Sequence, residues 1–523
     1  MFVLCVLLLV SVLGCKGGTE GPGTTSLDPS AEADPPGDIP AFPFVAHVDQ
    51  EDITDGKILF DELFVLGDEM FEAEFNGIDG VGVARLPDGT FLDSQFSRVP
   101  PGGGRFTGPN GQACVACHNT PFPTSAGEAA SNVVQDPSRT GIPPFNIRNT
   151  LSLFGSGVLQ RLAEEITEDL LAIRDEAALE AQSGGASVTR SLDSKGISFG
   201  EISATRDLAG DVTFDVSGLE GVDPDLVVRP FGWKGNTTTL RDFCRGAAMN
   251  ELGMEPDELV AKDAQGRTDP DGDGVEGELS VGDITAITIY VAAQPVPSSS
   301  GFLVSQGLSP PPTVEVAAAV ARGGELFDSL GCSSCHVPEL RLTDPTFEEP
   351  TSRAGGNYFD TEIDPDDTAF DPDRPFRFDL VQQGDRPRLE PHPAGGARAR
   401  IFGDLKRHNM GSQLADAQPM PVTDASGRPL TVGGNSVEVP EAVFLTAELW
   451  GVGNTGPWLH DGRGVTLEEA IFLHGVPIPP AVGDPDRSEA QEARDAFAAL
   501  PEVDRQAVVA FLKSLVLVSF DEE

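Results

Sequence analysis

Two pentapeptides of the form Cys-x-x-Cys-His, Cys114-Val115-Ala116-Cys117-His118 and Cys332-Ser333-Ser334-Cys335-His336, are the residues of this chain best suited to do chemistry. Two thiols at this spacing add across the two vinyl groups of one haem, and the adjacent histidine then lies under the porphyrin as the proximal iron ligand. A redox dithiol or half of a zinc site also uses a Cys pair, but zinc needs further ligands at short range, and each motif here stands in its own surroundings. The pattern predicts two covalently bound haem c groups, one on Cys114, Cys117 and His118 and one on Cys332, Cys335 and His336.

The remaining cysteines say where such chemistry takes place. Cys5 lies in an apolar run, Phe2 to Leu13, that stops at Gly14-Cys15; the run is too short to span a bilayer as a stable helix and reads as a signal peptide over residues 1–15. Val12-Leu13-Gly14-Cys15 resembles a bacterial lipobox, with Cys15 as the lipidated residue, although basic residues ahead of the apolar core are missing. An ordinary cleaved signal is the alternative, and neither version leaves a transmembrane helix. The expected location is the periplasm or cell envelope, with the membrane reached only through an N-terminal lipid anchor. Cys244 stands alone and is expected to be a buried thiol, so structural disulfides are not expected.

Residues 16–48 have the composition of a flexible linker, and the chain beyond them is too long for one core. The net charge of −48, from 83 acidic against 35 basic residues, argues against nucleic acid or anionic membrane surfaces as partners. It suits a small basic redox donor protein, or simply a heavily solvated surface.

Helical apolar spacing runs from Val316 to Leu330 into the second motif, and a terminal helix opened by Pro501 carries Val508, Phe511, Leu512 and Leu515. A helix, an attachment turn and a closing helix are the plan of a class I cytochrome c. The first half repeats it with Ile58 to Phe71, the Cys114 motif, and Ile284, Ile287 and Val291. Alternation at Ile197, Phe199 and Ile202 and at Val212, Phe214 and Val216, about Ala209-Gly210-Asp211, predicts a small β-hairpin. The Pro- and Ser-rich stretch Pro295 to Pro312 separates the halves. The predicted fold class is mainly α: two class I cytochrome c-like domains, 49–300 and 313–523, with long inserted loops and minor β.

The C-terminal half carries Phe444-Leu445-Thr446, Leu449-Trp450-Gly451, Thr455-Gly456-Pro457-Trp458-Leu459-His460-Asp461-Gly462-Arg463, Thr466-Leu467-Glu468-Glu469-Ala470-Ile471 and His474-Gly475, preceded by Asp404-Leu405-Lys406-Arg407-His408-Asn409-Met410-Gly411. In these residues the chain resembles the di-haem c-type oxidoreductases of the peroxidase-like family, related to bacterial di-haem cytochrome c peroxidases and to the di-haem enzyme that matures methylamine dehydrogenase. The resemblance implies peroxide reduction at the N-terminal haem, with electrons relayed through the C-terminal haem. It also implies that the position matching the peroxidases' distal methionine is His474, so that His336 and His474 are both axial ligands. Two imidazoles favour a lower potential than His/Met; a helix-end histidine bonded to carbonyls is the plainer alternative.

No histidine occurs between His118 and His336, so the first haem is expected to have an open distal site for peroxide or dioxygen. Met249 and Met254 are nearby alternatives, though methionine on an apolar face is usually core. The family uses a Gln and a Glu beyond the first motif to move a proton between peroxide oxygens. Asn146-Ile147-Arg148-Asn149-Thr150 resembles the segment leading there, and Gln160 and Glu164, one helical turn apart, with Glu165 beside them, are the catalytic candidates. A solvated helix face is the bland alternative. Trp233, Trp450 and Trp458 are candidate relays, and His408 and His460 are expected to organise the interface or contact a propionate.

Asp269, Asp271 and Asp273, followed by Gly274, have the spacing of a calcium loop, but Ser280 stands where the bidentate acid belongs. Glu276, Glu278 or Asp283 would complete a Ca2+ shell; otherwise this is an acidic turn. Two further readings stay open. One is a di-haem dioxygenase acting on an apolar organic substrate at the same open iron. The other is a non-catalytic electron-transfer cytochrome, which needs a sixth ligand for the first haem.

Overall fold

The computed structural model describes residues 47–81, 111–127, 132–135, 145–184, 187–259, 274–351, 374–381, 389–422, 430–432 and 434–518. All belong to one compact unit, Pro43–Glu523, so the predicted signal peptide lies outside the described residues. No described helix is long and apolar enough to cross a membrane. At the end of the predicted linker, Val48 N–H donates to Asp283 Oδ1 at 2.7 Å, and His47 Nδ1 bonds Asp283 Oδ2 at 2.6 Å.

The helices fall where the apolar spacing places them. Phe60–Glu72 crosses Val281–Ala292, whose start is fixed by a capping box between Ser280 and Asp283. Val314–Ser329, capped by Thr313, crosses Glu502–Lys513. The two crossings use the same device. A Cβ on Gly67 would stand 2.3 Å from Ala286 O and 2.6 Å from Tyr290 Cβ, and one on Gly323 would stand 1.9 Å from Ala507 O and 2.7 Å from Phe511 Cβ. Glycine is required at both because the helix backbones touch there. One turn beyond each glycine, Phe71 packs on Tyr290 with ring centroids 5.3 Å apart, and Phe327 packs on Phe511 at 5.3 Å.

Each crossing leads to an attachment turn, Cys114–Ala116 or Cys332–Ser334, wound as a short 3-10 helix. The long helix Ser156–Gly184, which in sequence falls between the two helices of the first crossing, is buried through its first half. A three-stranded antiparallel sheet, Val188–Ser194, Ile197–Arg206 and Val212–Asp215, packs against it; this is the predicted hairpin extended by one strand. Strand is more widespread than the sequence suggests, because the inserted segments of the C-terminal half form two- and three-stranded sheets of strands as short as two residues. Elements that short have no readable period. The Pro- and Ser-rich stretch is not featureless either: Ser300–Ser305 is helical and Ser298–Ser299 pairs with Leu515–Val516.

Candidate functional site

The three histidines expected to meet iron share one local arrangement. His118 Nδ1 lies 3.1 Å from Ser125 O, His336 Nδ1 3.2 Å from Phe402 O, and His474 Nδ1 2.8 Å from Ala470 O. A carbonyl at Nδ1 fixes the tautomer that leaves the Nε2 lone pair for a metal. Burial lowers the His118 pKa to about 4, and burial together with neighbouring His474 lowers His336 to about 4. Both rings are therefore neutral near pH 7, the form that ligates. Burial pushes the Cys114 thiol up to about 12 and Cys332 to about 11, and no disulfide joins the five described cysteines.

His336 and His474 face one another with ring centroids 6.5 Å apart and planes inclined at 58°. Two imidazoles on opposite sides of one metal, with bonds of about 2 Å, place their centroids roughly 6 Å apart. The pair therefore fits a single six-coordinate iron. A cavity of about 510 Å³ has Cys332, Cys335, His336 and His474 in its wall and continues toward the N-terminal half past Trp233, Leu153 and Leu159. Its walls are largely apolar, as in cofactor pockets of this size. Three wall atoms, Asn149 Oδ1, Thr150 Oγ1 and Glu448 Oε1, are buried with no hydrogen-bond partner among the described residues. Such atoms mark a cavity built for a partly polar occupant, and the residues present fit a haem at the second motif.

Gln160 and Glu164 are buried and joined, Gln160 Nε2 donating to Glu164 Oε1 at 3.0 Å while Gln160 Oε1 accepts from Leu240 N–H at 2.8 Å. Arg161 pairs with Glu164. Glu165 is engaged elsewhere, by Lys195 and by the backbone N–H groups of Thr343 and Asp344. Met254 is fully buried in a cluster with Phe75, Leu252 and Ile284, and Met249 is buried too. Cys244 is a buried thiol whose pKa burial raises. Asp269, Asp271 and Asp273 lie outside the described residues. Of their proposed helpers, Asp283 caps a helix and Glu278 accepts from Glu255 N–H at 2.7 Å.

A polar junction joins the two halves. Arg148 grips Asp416 with two bonds of 2.8 and 2.7 Å, Lys234 Nζ lies 3.1 Å from the same carboxylate, and His460 Nε2 is 3.5 Å away. Trp233 Nε1–H donates to Asn149 O at 2.7 Å and its ring meets His460 edge-on at 6.5 Å, while His460 stacks on Phe444 at 4.4 Å. Trp458 donates to Val452 O, and Trp450 packs against Gly155. His408 bridges Asp404 at 2.9 Å and Glu489 at 2.7 Å, with Cys335 Sγ 3.9 Å away. The sequence offered His408 and His460 as organisers but gave no sign of Asp416, which only the fold brings to Arg148 and Lys234.

Burial pushes the Asp416 carboxyl up, but Arg148 and Lys234 outweigh it and hold its pKa below the usual range. Since the folded value is depressed, this carboxylate's contribution is complete above its unfolded pKa of about 3.9 and is lost as pH falls through the folded value. Asp416→Asn leaves two buried cations with no counter-charge and is expected to cost about 3 kcal/mol at pH 7, the low end for breaking a buried pair. Chemical denaturation from neutral to acid pH checks this: the wild-type advantage shrinks below about pH 4.

Residues 395–515 match the family model described as "Di-haem oxidoreductase, putative peroxidase". This segment holds His408, Glu448, His460 and His474. The chain is thus similar in that part to a class of di-haem redox enzymes. Among solved structures, it is similar to the diheme peroxidase BthA of Burkholderia thailandensis E264, at 14% identity and a TM-score of 0.33 over 90% of this chain and 89% of that one. It is also similar to a MauG-like protein associated with microbial copper homeostasis, at 16% identity and a TM-score of 0.27 over 60% and 78%. Hydrazine synthase of Kuenenia stuttgartiensis matches at 17% identity and a TM-score of 0.21 over 45% of this chain; only 56% of that chain is spanned. No curated protein matches the chain.

Proposed function

We propose that this chain is an exported di-haem c-type oxidoreductase that reduces peroxide on the side of Cys114, Cys117 and His118, with electrons delivered through the site of Cys332, Cys335, His336 and His474. The observation that carries this reading is the facing pair His336 and His474, 6.5 Å apart, set against a first motif followed by no histidine before His336. Haem, when bound, supplies iron that stores one electron and, where a coordination position is open, takes an oxygen ligand. The matched helix crossings at Gly67 and Gly323 support two class I cytochrome c-like halves, 49–300 and 313–523.

The chain's own groups divide the remaining work. Gln160 and Glu164 form a buried pair suited to hold and pass a proton, with Arg161 setting the carboxylate's position. Glu165 anchors the long helix to Thr343 and Asp344 and supports the pair beside it. Trp233, bonded to Asn149 and edge-on to His460, stands in the junction as the aromatic step between the halves. Glu489 and Glu492 at the cavity's outer wall suit a small basic donor protein. Export rests on residues 1–15, with Cys15 as lipid anchor, and Asp269, Asp271 and Asp273 remain proposed as a Ca2+ loop.

Steady-state assays with a reduced basic cytochrome as donor test the reading. Peroxide consumption that requires the donor is expected, and Glu164→Gln is expected to lower kcat by about 10²- to 10⁴-fold, the scale of a lost acid–base group. Oxygen uptake with an apolar polyene and no donor overturns peroxidase in favour of dioxygenase. Turnover of neither leaves an electron carrier.

A further inference from the structure

We propose that Glu448 is a proton-accepting site of the C-terminal centre: when the haem there gains one electron from its donor, this carboxylate gains one proton from solvent. The inference rests on the reading of Cys332, Cys335, His336 and His474 as that haem's site. The step balances with no other bond change: ferric haem, carboxylate, one electron and one proton become ferrous haem and carboxylic acid.

Glu448 is in the wall of the cavity that contains those four residues. The backbone N–H groups of Leu449 and Trp450 both point at Ile401 O, which fixes the segment beside residues 401–403. There Glu448 Cγ lies 3.7 Å from where a Gly403 Cβ would be, and Gly403 follows Phe402, whose carbonyl accepts His336 Nδ1–H. The carboxylate thus sits one residue from the anchor of the proximal ligand. Its Oε1 is buried with no hydrogen-bond partner, and no ion pair reaches it among the described residues. A buried carboxylate so placed feels the loss of one positive charge at the iron directly and answers by binding a proton. Burial already pushes its pKa up to about 7; its own backbone N–H opposes this and the charge of Asp404 adds to it.

The other ionisable groups around the cavity are committed. Burial opposes charge on His408, but Asp404 and Glu489 outweigh it and raise the pKa to about 12, so that ring stays charged near neutrality. Glu489, pushed up by burial, is held low by His408 in return. His460 is lowered to about 4 by burial and is neutral there. His336 and His474 are the ligands, Arg494 pairs with Asp495, and Glu492 is exposed, where solvent screens it.

Potentiometric titration of the holoprotein tests this. From about pH 6 to pH 9 the C-terminal haem potential is expected to fall with rising pH, by up to tenfold in the reduction equilibrium per pH unit, or 59 mV for one electron. In Glu448→Gln the dependence is expected to vanish. A slope that persists in Glu448→Gln, or a wild-type potential that does not move with pH, overturns the proposal. Redox-difference infrared spectra give a second readout: a protonated-carboxyl band that appears on reduction of the wild-type protein and is lost in Glu448→Gln supports Glu448, and a band that is absent, or that persists in the variant, overturns it. Failure of the underlying reading looks different, because a chain without covalent haem on Cys332 and Cys335 retains after denaturation at most the one haem of Cys114 and Cys117, against two per chain when both motifs are loaded.

Discussion

Replacing His474 with alanine is expected to convert the C-terminal haem from low-spin to high-spin, abolishing the low-spin ferric signal of that centre. The reason is geometric. His336 and His474 lie 6.5 Å apart by ring centroid, and each has its Nδ1 committed to a backbone carbonyl, so each keeps only Nε2 for a metal. Removing one leaves that iron without its sixth ligand, because the described histidines nearest the site are engaged: His408 by Asp404 and Glu489, His460 by stacking on Phe444. His474→Met restores a sixth ligand of another kind. Thioether ligation raises the potential, and a shift upward of more than tenfold in the reduction equilibrium, 59 mV for one electron, is expected. Ultraviolet–visible and EPR spectra of the two variants check both statements; an unchanged low-spin signal in His474→Ala contradicts the ligand assignment.

The second large effect concerns stability and lies away from the cavity. Arg241 is fully buried, donating to Glu258 Oε2 and Glu349 Oε1 at 3.0 Å each and to Thr285 Oγ1 at 2.9 Å. Arg245 adds a bond to Glu258 at 3.2 Å. Burial pushes the Glu349 carboxyl up to about 7, against the pull of Arg241. Arg241→Met removes that pull, taking the Arg241 cation from Glu349 and leaving Glu258 to Arg245, at an expected cost of about 3–5 kcal/mol. Replacing Arg241, Glu258 and Glu349 together with apolar residues of similar volume is expected to recover much of the loss, since desolvation of the cluster is then relieved. Equilibrium denaturation measures both variants. A loss below about 1 kcal/mol for Arg241→Met contradicts the view that this cluster is a fully desolvated network.

The parts of this molecule that could be read from its sequence are those governed by local period. The spacing of Val508, Phe511 and Leu512 gave the terminal helix, and Ile284, Ile287 and Val291 gave the helix that closes the first half. The alternation about Gly210 gave a hairpin, though not its third strand Val188–Ser194. The contact of Gly67 with Ala286 repeats that of Gly323 with Ala507, yet each joins residues remote in sequence, and no local pattern announces it. Gln160 and Glu164 were legible as neighbours on one helix face, and they are hydrogen-bonded. The partners of Glu165, namely Lys195 and the Thr343–Asp344 backbone, come from other elements and were invisible. Glu448 is the sharpest case. Between Ala447 and Leu449 it is one of 83 acidic residues, and its interest comes only from the cavity it lines and the partner it lacks.

The most direct test of the central claim is a low-temperature EPR spectrum of the fully ferric holoprotein, because spin state reports whether each iron has a strong sixth ligand. One low-spin signal from the His336/His474 centre and one high-spin signal from the His118 centre are predicted. Two low-spin signals contradict an open site beside His118, and two high-spin signals contradict His474 as a ligand.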